Sequence, residues 1–344
     1  MPTIRDVAKR AGVSTATVSA TLNGTAFVSL GLQQRVQAAV RELGYAPDAI
    51  ARSLKQGRTH LIGLVVADIT NPFFNELTQA IEAAAQAEGY SVLLSDTNQD
   101  FEKEQKYIRL MRTYRVEGLI LIPTGRAADY GPAAMLQLEM PVVLVDRTLP
   151  ALPFDSVVLN NRRAAMLATD HILAFGHTRV GAINGPALFS AARERAQGFR
   201  DALRHHGVHY EERFVRDGQF REAEAFEACL DLLGRSERPT ALFVANNHML
   251  IGVMRAIAEA GLQCPRDVSV VSIDDFRWAN AFTPRLTTVS QPVAKFGGTA
   301  VRLLLDRLSG AAPPGPVREV MEPSLIVRDS CAPAAVLPEP RETA

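Results

Sequence analysis

Apolar residues near the start of the chain recur at three- and four-residue spacing, which predicts a short amphipathic helix. The stripe consists of Ile4, Val7, Ala8 and Ala11. Gly12 follows it directly and supplies the positive φ that a sharp turn needs. The pattern therefore predicts a helix that ends in a tight turn.

A second helix is predicted from Thr15 to Leu22, with Ser14 as its N-cap. Its outer side carries only small residues, namely Thr15, Ala16, Ser19 and Ala20. A helix that enters the major groove of DNA needs slim side chains that are polar or bear a methyl group. A solvent-exposed helical hairpin at a chain end would show the same periodicity, so the pattern alone leaves both interpretations open.

A third helix is predicted from Val28 to Leu43, and Gly44 ends it. Pro47 then starts a further helix over residues 48–56, which is only about two turns long. A helix of this length is marginal in water because nucleation is costly, so it forms only when something holds it. A plain linker is the alternative.

Beyond residue 59 short apolar strands alternate with helices, which predicts parallel sheets with helices on both faces. The predicted strands are Leu61–Ile69, Ser91–Ser95, Gly118–Ile122 and Val142–Asp146 in one series, and Val180–Asn184, Ala241–Ala245 and Val268–Asp274 in a second. Polar residues follow several of these strands: Asp68, Asp96, Asp146-Arg147, Asn246-Asn247 and Asp274-Asp275. Because ligands of such sheets bind beyond the carboxyl ends of the strands, these residues are candidates for a binding site.

Length and composition agree with this division. A chain of 344 residues is too long for one ordinary core and predicts two or three domains. The composition, 47% hydrophobic and 22% charged, is that of a soluble globular protein. The sequence has neither an apolar run of membrane-spanning length nor the apolar core of a signal peptide, so a cytoplasmic location is expected. The three cysteines lack CxxC spacing, which predicts free thiols in a reducing compartment.

The overall net charge of zero hides an asymmetry. Residues 1–60 contain eight Lys and Arg residues against three acids, a net charge of +5, so the remainder carries −5. A basic N-terminal part on a mildly acidic body is suited to contact with DNA phosphates through that part alone.

The string DVAKRAGVSTATVSATLN, from Asp6 to Asn23, resembles the helix-turn-helix that opens LacI-family (LacI/GalR) bacterial transcription regulators. The resemblance continues to about Ser330 through the segments NPFF, VDR, FGH, PTA and PRLTTV. It implies an α/β fold class: an N-terminal three-helix head with a hinge helix, then a two-lobed, doubly wound body like that of type I periplasmic binding proteins.

The resemblance also implies domain boundaries. Residues 1–46 are expected to form the helix-turn-helix domain, 47–58 the hinge helix and linker, 59–330 the effector-binding and dimerisation domain, and 331–344 a flexible tail. The N-lobe would span about 59–158 and 291–320, and the C-lobe about 159–290 and 321–330. The chain would then cross between lobes near Leu159, Ser290 and Met321.

In the family the head reads DNA bases and the hinge helix inserts a leucine into the minor groove, where the wedge bends the duplex. The matching DNA-binding positions here are Thr3, Ser14, Thr15, Ala16, Thr17, Ser19, Ala20, Asn23, Ser29, Ala51 and Leu54. Two departures stand out. Ala20 replaces a common arginine, and residues 28–33 read VSLGLQ instead of VSxxTR. Base readout is therefore expected to depend on Thr15 and Ala16, with Ala20 at most in contact with a thymine methyl.

Effector-binding positions are carried over in the same way. They are Phe73, Phe74, Asp146, Arg147, Asn161, Arg195, Phe220, Asn246, Asp274 and Gln291. Aromatic rings stack on sugars or bases, while carboxylates, amides and guanidinium groups bind hydroxyls. Alternatives remain open: Phe73 and Phe220 could be core residues, Asp274 could cap a turn, and Arg193 could make the contact assigned to Arg195.

Two acids that are common in the family are absent, since Asn160 precedes Asn161 and Asn247 follows Asn246. With Arg147 and Arg195 retained, this loss of negative charge would suit an effector with anionic character, such as a sugar acid or phosphate.

No metal, cofactor or catalytic site is expected. In HHGVH, residues 205–209, the first two histidines face apart and no acid or cysteine completes a ligand set. Adjacent residues at a strand end point in opposite directions, so Asp274 and Asp275 do not form a catalytic acid pair. The chain lacks both a phosphate-binding P-loop sequence and a GxSxG nucleophile sequence.

The sequence thus predicts a ligand-responsive transcriptional regulator, a repressor that acts on DNA of the nucleoid. It would bind a pseudo-palindromic operator as a homodimer, because the tail has no leucine heptads for a larger bundle. A small molecule, a sugar or sugar derivative, would bind between the lobes and alter DNA affinity through the hinge helices. The alternative is a solute-binding transport protein with the same body fold, which predicts a signal peptide and no basic head. A further alternative is an enzyme, which would need an activated nucleophile or a phosphate-binding loop.

Overall fold

The computed structural model describes residues 2–24, 26–45, 58–126, 128–131, 140–150 and 152–334. The chain divides after Thr59 into two compact units, an N-terminal head and a larger body. The predicted hinge helix over residues 48–56, with Ala51 and Leu54, lies outside the described residues.

The head consists of three helices around a small apolar core. The helices are α1 (Ile4–Ala11), α2 (Thr15–Asn23) and α3 (Leu30–Leu43). Their core side chains are Val7, Ala8, Ala11, Val18, Val36 and Ala39. The predicted start of the third helix at Val28 is wrong by two residues, because Val28 is buried and Ser29 is the N-cap.

The turn between α1 and α2 depends on Gly12, as predicted. Gly12 has a φ of 60° and its N–H donates to the carbonyls that end α1. A guanidinium nitrogen of Arg35 donates to the carbonyl oxygens of Ala11 at 2.5 Å and Gly12 at 3.1 Å. A Cβ on Gly12 would lie 2.6 Å from that nitrogen, so a larger residue would break both the turn and its link to α3.

The body contains two sheets flanked by helices, which confirms the predicted fold class. The strands are β1 (Leu61–Val66), β2 (Ser91–Asp96), β3 (Gly118–Leu121), β4 (Val142–Val145), β5 (Asp155–Leu159), β6 (Val180–Asn184), β7 (Val215–Asp217), β8 (Ala241–Val244), β9 (Ser269–Ile273), β10 (Thr287–Ser290), β11 (Arg318–Met321) and β12 (Ser324–Ile326). The helices are α4 (Pro72–Ala87), α5 (Phe101–Thr113), α6 (Asn161–Leu173), α7 (Ser190–His205), α8 (Glu222–Leu233), α9 (Asn247–Glu259) and α10 (Val293–Ser309).

Within the described part of the chain, the two sheets have the same topology. The order is β11-β5-β4-β3-β1-β2 in the first and β12-β10-β9-β8-β6-β7 in the second. All neighbouring strands are parallel except β10 and β12. We call the first sheet with α4, α5 and α10 the N-lobe, and the second sheet with α6 to α9 the C-lobe.

The chain passes between the lobes three times. It leaves the N-lobe sheet after β5, leaves the C-lobe sheet after β10, and passes from β11 in one sheet to β12 in the other. The helix α10 therefore returns to the N-lobe, where it packs closely on α4: a Cβ on Gly297 would lie 2.7 Å from atoms of Ala80. Three connections between two compact lobes are the arrangement of a hinge that opens and closes a cleft.

Several sequence-based bounds need correction. The predicted strands that start at Leu61 and Val142 end earlier, at Val66 and Val145, and Asp146, which follows the second of them, lines the cleft. The flexible tail was predicted to begin too early. Ala332 donates from its N–H to Ser269 Oγ at 3.0 Å, and Ala334 donates to the Phe175 carbonyl, so the chain is held against the C-lobe up to residue 334.

Candidate functional site

A cleft lies at the carboxyl ends of the strands of both sheets and leaves a cavity of about 20 Å³. The residues that line it come from both lobes: Asn71, Phe73, Phe74, Gln99, Asp146, Arg147, Ala191, Arg195, Phe220, Asn246 and Asp274. Eight of the predicted effector positions lie here, while Asn161 and Gln291 lie behind this lining.

Each lobe places one aspartate in the cleft by the same backbone device. Asp146 follows β4 with a φ of 66°, and Asp274 follows β9 with a φ of 71°. The N–H of Asp146 donates to Val157 in β5, and the N–H of Asp274 donates to Val289 in β10. Left-handed backbone at a non-glycine residue costs of order 1–3 kcal/mol and concentrates at functional sites. The strain is matched in the two lobes and turns both carboxylates out of the strand direction.

Asp274 is a buried carboxylate, and that burial raises its pKa to about 6. Arg195, whose guanidinium nitrogen lies 3.8 Å away, and Gln291, which donates an amide N–H to Oδ1, both oppose the rise. The carboxyl group of Asp274 therefore faces the cleft as well as its two neighbours. The alternative that it only caps a turn is not favoured, because its carboxyl group lines the cleft.

Arg195 lies on α7 and is held firmly within the C-lobe. Its Nε donates to Asn161 Oδ1 at 2.7 Å, and its NH1 donates to the Ala245 carbonyl at 2.6 Å. Arg193 is exposed and donates instead to the carbonyls of residues 187 and 188. The geometry thus places Arg195, and not Arg193, in the cleft, with Asn161 as its support.

Arg147 belongs to the N-lobe but contacts both lobes. Its NH1 donates to Gln99 Oε1 and to the Pro123 carbonyl, both at 3.0 Å. Its guanidinium lies 3.7 Å from the ring centroid of Phe189, which belongs to the C-lobe. Burial lowers the pKa of Arg147 to about 10, and Asp146, 3.5 Å away, opposes that fall. Arg147 is therefore a cation at neutral pH that stacks across the cleft.

The aromatic residues are both part of the core and part of the lining. Asn71 caps α4 by accepting from the Phe73 N–H at 2.9 Å, and this cap places Phe73 and Phe74 at the cleft with centroids 5.2 Å apart. Phe220 has a φ of 56° and stacks on Phe189 at 6.1 Å. The rings thus pack on the protein with one side and remain available to an apolar ligand face with the other.

Two polar atoms beside the cleft keep unused hydrogen-bonding capacity. Arg147 Nε and Gln291 Oε1 are both buried and have no hydrogen-bond partner among the described residues. Buried polar groups are normally satisfied, and exceptions call for an explanation. Hydroxyl groups, which both donate and accept, would satisfy a guanidinium N–H and an amide oxygen alike.

The two asparagines that replace family acids do not line the cleft. Asn160 caps α6 and donates to Glu322 at 3.0 Å, and Asn247 is fully buried at the start of α9. The charge argument for an anionic effector therefore loses its basis: the charged lining, Asp146, Arg147, Arg195 and Asp274, carries equal numbers of acids and bases.

Sequence reasoning did not assign Asn71, Gln99 or Ala191 to the site. Asn71 belongs to the NPFF segment, and its position as N-cap before Pro72 is a signal that the sequence offers. Gln99 lies in the loop after β2 with a φ of 61°, at the same edge of the sheet as Asp146. Position after a parallel strand was therefore the signal for both.

In the head, the predicted DNA-binding residues fall into two groups. Thr3 caps α1, and Ser14 caps α2 while its hydroxyl also bonds that of Thr17, so these hydroxyls stabilise the head itself. Asn23 donates to the Ser19 carbonyl. Exposed on the start of α2 are Thr15 and Ala16, and at the start of α3 the Ser29 side chain makes no capping bond. Ala20 is half-buried on α2.

Comparisons with known proteins match both units. Residues 3–48 match the family model described as "Bacterial regulatory proteins, lacI family", and residues 169–331 match a periplasmic binding protein-like domain. Across 96% of this chain and 98% of the relative, the sequence is 35% identical to the HTH-type transcriptional repressor PurR of Vibrio vulnificus. The ribose operon repressor of Escherichia coli is 36% identical across 90% of this chain and 94% of its own. A crystal structure of the lac repressor dimer bound to operator and the anti-inducer ONPF superposes with a TM-score of 0.86 at 29% identity, covering 96% of this chain and 99% of that one.

Proposed function

The chain belongs to the LacI family of bacterial regulatory proteins, and from this premise we propose that its cleft binds one small, uncharged sugar, such as a pentose, as effector. The protein is a ligand-responsive, DNA-binding transcriptional repressor that acts on operator DNA as a dimer. Its head distinguishes it from solute-binding transport proteins, which share only the body fold.

The observation that carries the effector class is the balanced charge of the lining. Two carboxylates and two guanidinium groups face one small cleft, each acid beside a base. An anion would compete with Asp146 and Asp274 for the guanidinium groups, whereas neutral hydroxyls donate to the carboxylates and accept from the arginines.

Size requires that the lobes separate before a sugar ring binds. The cleft leaves a cavity of only about 20 Å³, whereas ordinary small-molecule sites span roughly 300–1,000 Å³. Phenylalanine rings from both lobes supply the apolar contact that the C–H face of a sugar needs. A ribose repressor among the relatives agrees with this class by its name.

For the head we propose that Thr15 and Ala16 contact bases and that Ser29 contacts a phosphate, because these side chains are exposed and not used in capping. We keep Leu54, with Ala51 on the same face, as the minor-groove wedge of the hinge. An effector then alters operator affinity only by its differential affinity for two lobe arrangements, typically about 1–3 kcal/mol of coupling.

We propose no enzymatic activity for this cleft. Its described lining contains no Ser, Cys, His or Lys side chain that would serve as a nucleophile, and the one carboxylate with a raised pKa, Asp274, is engaged by Arg195 and Gln291. No described helix is long and apolar enough to cross a membrane. The proposed site of action is the nucleoid, where the operator lies.

The proposal is tested by fluorescence anisotropy with a DNA fragment from the promoter of its own gene, with and without D-ribose. Operator affinity should change by about 5–150-fold on addition of the sugar. Calorimetry of D-ribose and D-ribose 5-phosphate against the full-length protein tests the charge argument. Tighter binding of the phosphate would overturn the neutral-sugar assignment, and Leu54→Ala should weaken DNA binding without changing either calorimetric affinity.

A further inference from the structure

A buried carboxyl group lies behind the N-lobe half of the cleft and is not part of its lining. It belongs to Glu104 on α5, whose side chain is fully buried. Its Oε2 accepts from the N–H and from the hydroxyl of Thr124, both at 2.7 Å, and its Oε1 accepts from the Tyr130 hydroxyl at 2.6 Å. Burying an acidic side chain is costly, so its place here calls for an explanation.

One peptide group connects Glu104 to the cleft. The Thr124 N–H of this group donates to Glu104, and the Pro123 carbonyl of the same group accepts from Arg147 NH1 at 3.0 Å. The peptide is trans and planar, so its N–H and its carbonyl point in opposite directions and rotate together. By holding the N–H, Glu104 fixes the direction of the carbonyl that Arg147 uses.

Other N-lobe residues hold the same turn. The Tyr130 hydroxyl donates to Glu104 and also accepts from the N–H groups of Thr124 at 3.2 Å and Gly125 at 3.1 Å. A Cβ on Gly125 would lie 2.5 Å from the ring of Phe101, so this ring packs directly on the turn. The turn after β3 is therefore anchored on the α5 side of the N-lobe.

We propose that Glu104 is a positioning residue for the effector response. It orients the Pro123 carbonyl, and this carbonyl and Gln99 together hold Arg147 where its guanidinium stacks on Phe189 of the other lobe. A rotated peptide would leave the guanidinium with Gln99 alone and free to move off the ring. The proposal rests on the proposed function, because a sugar in the cleft makes this positioning measurable as affinity.

The role predicts an order among variants at position 104. Glu104→Gln keeps the length of the side chain and an oxygen that accepts from Thr124, so the peptide should stay in place. Glu104→Asp is one methylene shorter and no longer reaches the N–H, although it keeps the acid. Glu104→Leu fills the volume but has no acceptor. The glutamine variant should thus resemble wild type, and the other two should not.

The test is calorimetry of D-ribose with the full-length protein, together with anisotropy of operator binding. In Glu104→Leu and Glu104→Asp, sugar affinity should fall by about tenfold, the size of one hydrogen bond to a charged group, and the effect of sugar on operator affinity should shrink. Glu104→Gln should stay within about threefold of wild type. The control is Asp155→Asn, which alters another buried carboxylate of the N-lobe, paired with Arg307; it should lower the unfolding temperature and leave sugar affinity unchanged.

A double variant separates positioning from general damage to the fold. Arg147→Met has no donor for the Pro123 carbonyl, so adding Glu104→Leu to it should weaken sugar binding by less than about twofold. If Glu104→Leu weakens binding by the same factor with and without Arg147→Met, the positioning role is overturned. Wild-type affinity and wild-type coupling in Glu104→Leu would overturn it as well.

The proposed effector class can fail without deciding this role. If wild-type protein gives no binding heat with D-ribose, that class is wrong, and crystal structures without ligand then test the positioning. A distance from Arg147 NH1 to the Pro123 oxygen above about 3.5 Å in Glu104→Asp and Glu104→Leu, with the bond kept in Glu104→Gln, would support it. The bond kept in all three variants would refute it, and Glu104→Asp alone suffices if the leucine variant does not fold.

Discussion

The two lobes place the same types of charged side chain in the cleft, but they anchor their arginines differently. Each contributes an aspartate with left-handed backbone after a central strand, and each contributes an arginine. In the C-lobe, Arg195 is anchored only by its own lobe, through Asn161 and the Ala245 carbonyl. In the N-lobe, Arg147 is anchored by Gln99 and Pro123 but also stacks on the C-lobe ring of Phe189.

Because of this difference, the C-lobe residues should determine effector affinity, and the N-lobe residues should also determine how lobe closure responds to the effector. The C-lobe half of the site keeps its geometry whether or not the lobes meet, because every hydrogen bond to Arg195 comes from that lobe. The N-lobe half is completed only when Arg147 reaches Phe189 across the cleft. Changes in the C-lobe should therefore remove effector affinity itself, whereas changes in the N-lobe should also reduce the coupling between effector and DNA.

The largest effect is expected from Arg195→Ala. This change removes a buried guanidinium and leaves Asp274 and Asn161 without that partner. Breaking a buried ion pair in this way lowers the free energy of unfolding by about 3–5 kcal/mol. D-ribose affinity should fall by more than about 100-fold while operator affinity without sugar stays near wild type. Arg193→Ala is the matched control, since Arg193 is exposed on the same helix. A normal sugar response in Arg195→Ala would remove the C-lobe half of the comparison.

A smaller and different effect is expected from Arg147→Lys. Lysine keeps the charge but loses the planar group that stacks on Phe189 and donates to Gln99 and Pro123 together. D-ribose affinity should fall by about tenfold, and the ratio of operator affinities with and without sugar should shrink as well. Calorimetry and anisotropy measure the two quantities separately. Arg126→Lys, an exposed position in the same lobe, should leave both unchanged; a loss of affinity with unchanged coupling would contradict the division of roles.

The sequence predicts a site residue when the pattern that marks it lies in the neighbouring residues, and fails when its role depends on a distant side chain. Strand ends and family segments located Asp146, Asp274 and the phenylalanines, because a parallel strand that ends in a polar residue points to the cleft edge. The role of Asn161 as a support was not predictable, since it depends on a side chain 34 positions away. The same holds for Phe189, which meets Arg147 only through the packing of two lobes.

The missed strands have a related explanation. Asp155–Leu159 and Thr287–Ser290 begin with polar residues that would be exposed in an isolated strand. Their partners are distant in sequence: Arg307 pairs with Asp155, and Ser330 accepts from the Thr287 N–H. Tertiary contacts, not local preference, make these segments strands.

The pH dependence of effector binding sharpens the comparison further. Burial raises the pKa of Asp274 to about 6, above that of an aspartate in the unfolded chain, so the native state binds more protons between about pH 4 and 6. A sugar hydroxyl that donates to the carboxylate needs it ionised, so D-ribose affinity should fall as the pH drops through about 6, at most about tenfold per pH unit. Asp274→Asn should bind more weakly at pH 7.5 and show a flat profile below pH 6.

The raised pKa of Asp274 also predicts how the stability of the folded protein changes with pH. Because the folded pKa of Asp274 is raised, its ionised form destabilises the native state above about pH 6, and the cost disappears below about pH 4. Asp274→Asn leaves Arg195 without this carboxylate at every pH, but its unfolding temperature minus that of wild type should be higher at pH 8 than at pH 4.5, because only wild type carries the ionised carboxylate. Thermal denaturation at both pH values measures this signed difference. A value that is higher at pH 4.5 than at pH 8 would contradict the raised pKa.

The smallest effect on D-ribose binding is expected from a change of Gln291, which lies behind the lining of the cleft. Its amide N–H donates to Asp274 Oδ1 and lowers the pKa of that carboxyl group, while its Oε1 has no partner among the described residues. Gln291→Leu keeps the volume but should move the acid limb of the D-ribose pH profile upwards and weaken binding by about threefold at pH 7.5, the size of one ordinary hydrogen bond. Gln99→Leu is the N-lobe counterpart: it removes an acceptor of Arg147 and touches no titrating carboxylate, so it should weaken binding without moving the acid limb. If Gln99→Leu moved that limb as far as Gln291→Leu does, the two halves of the cleft would titrate as one unit.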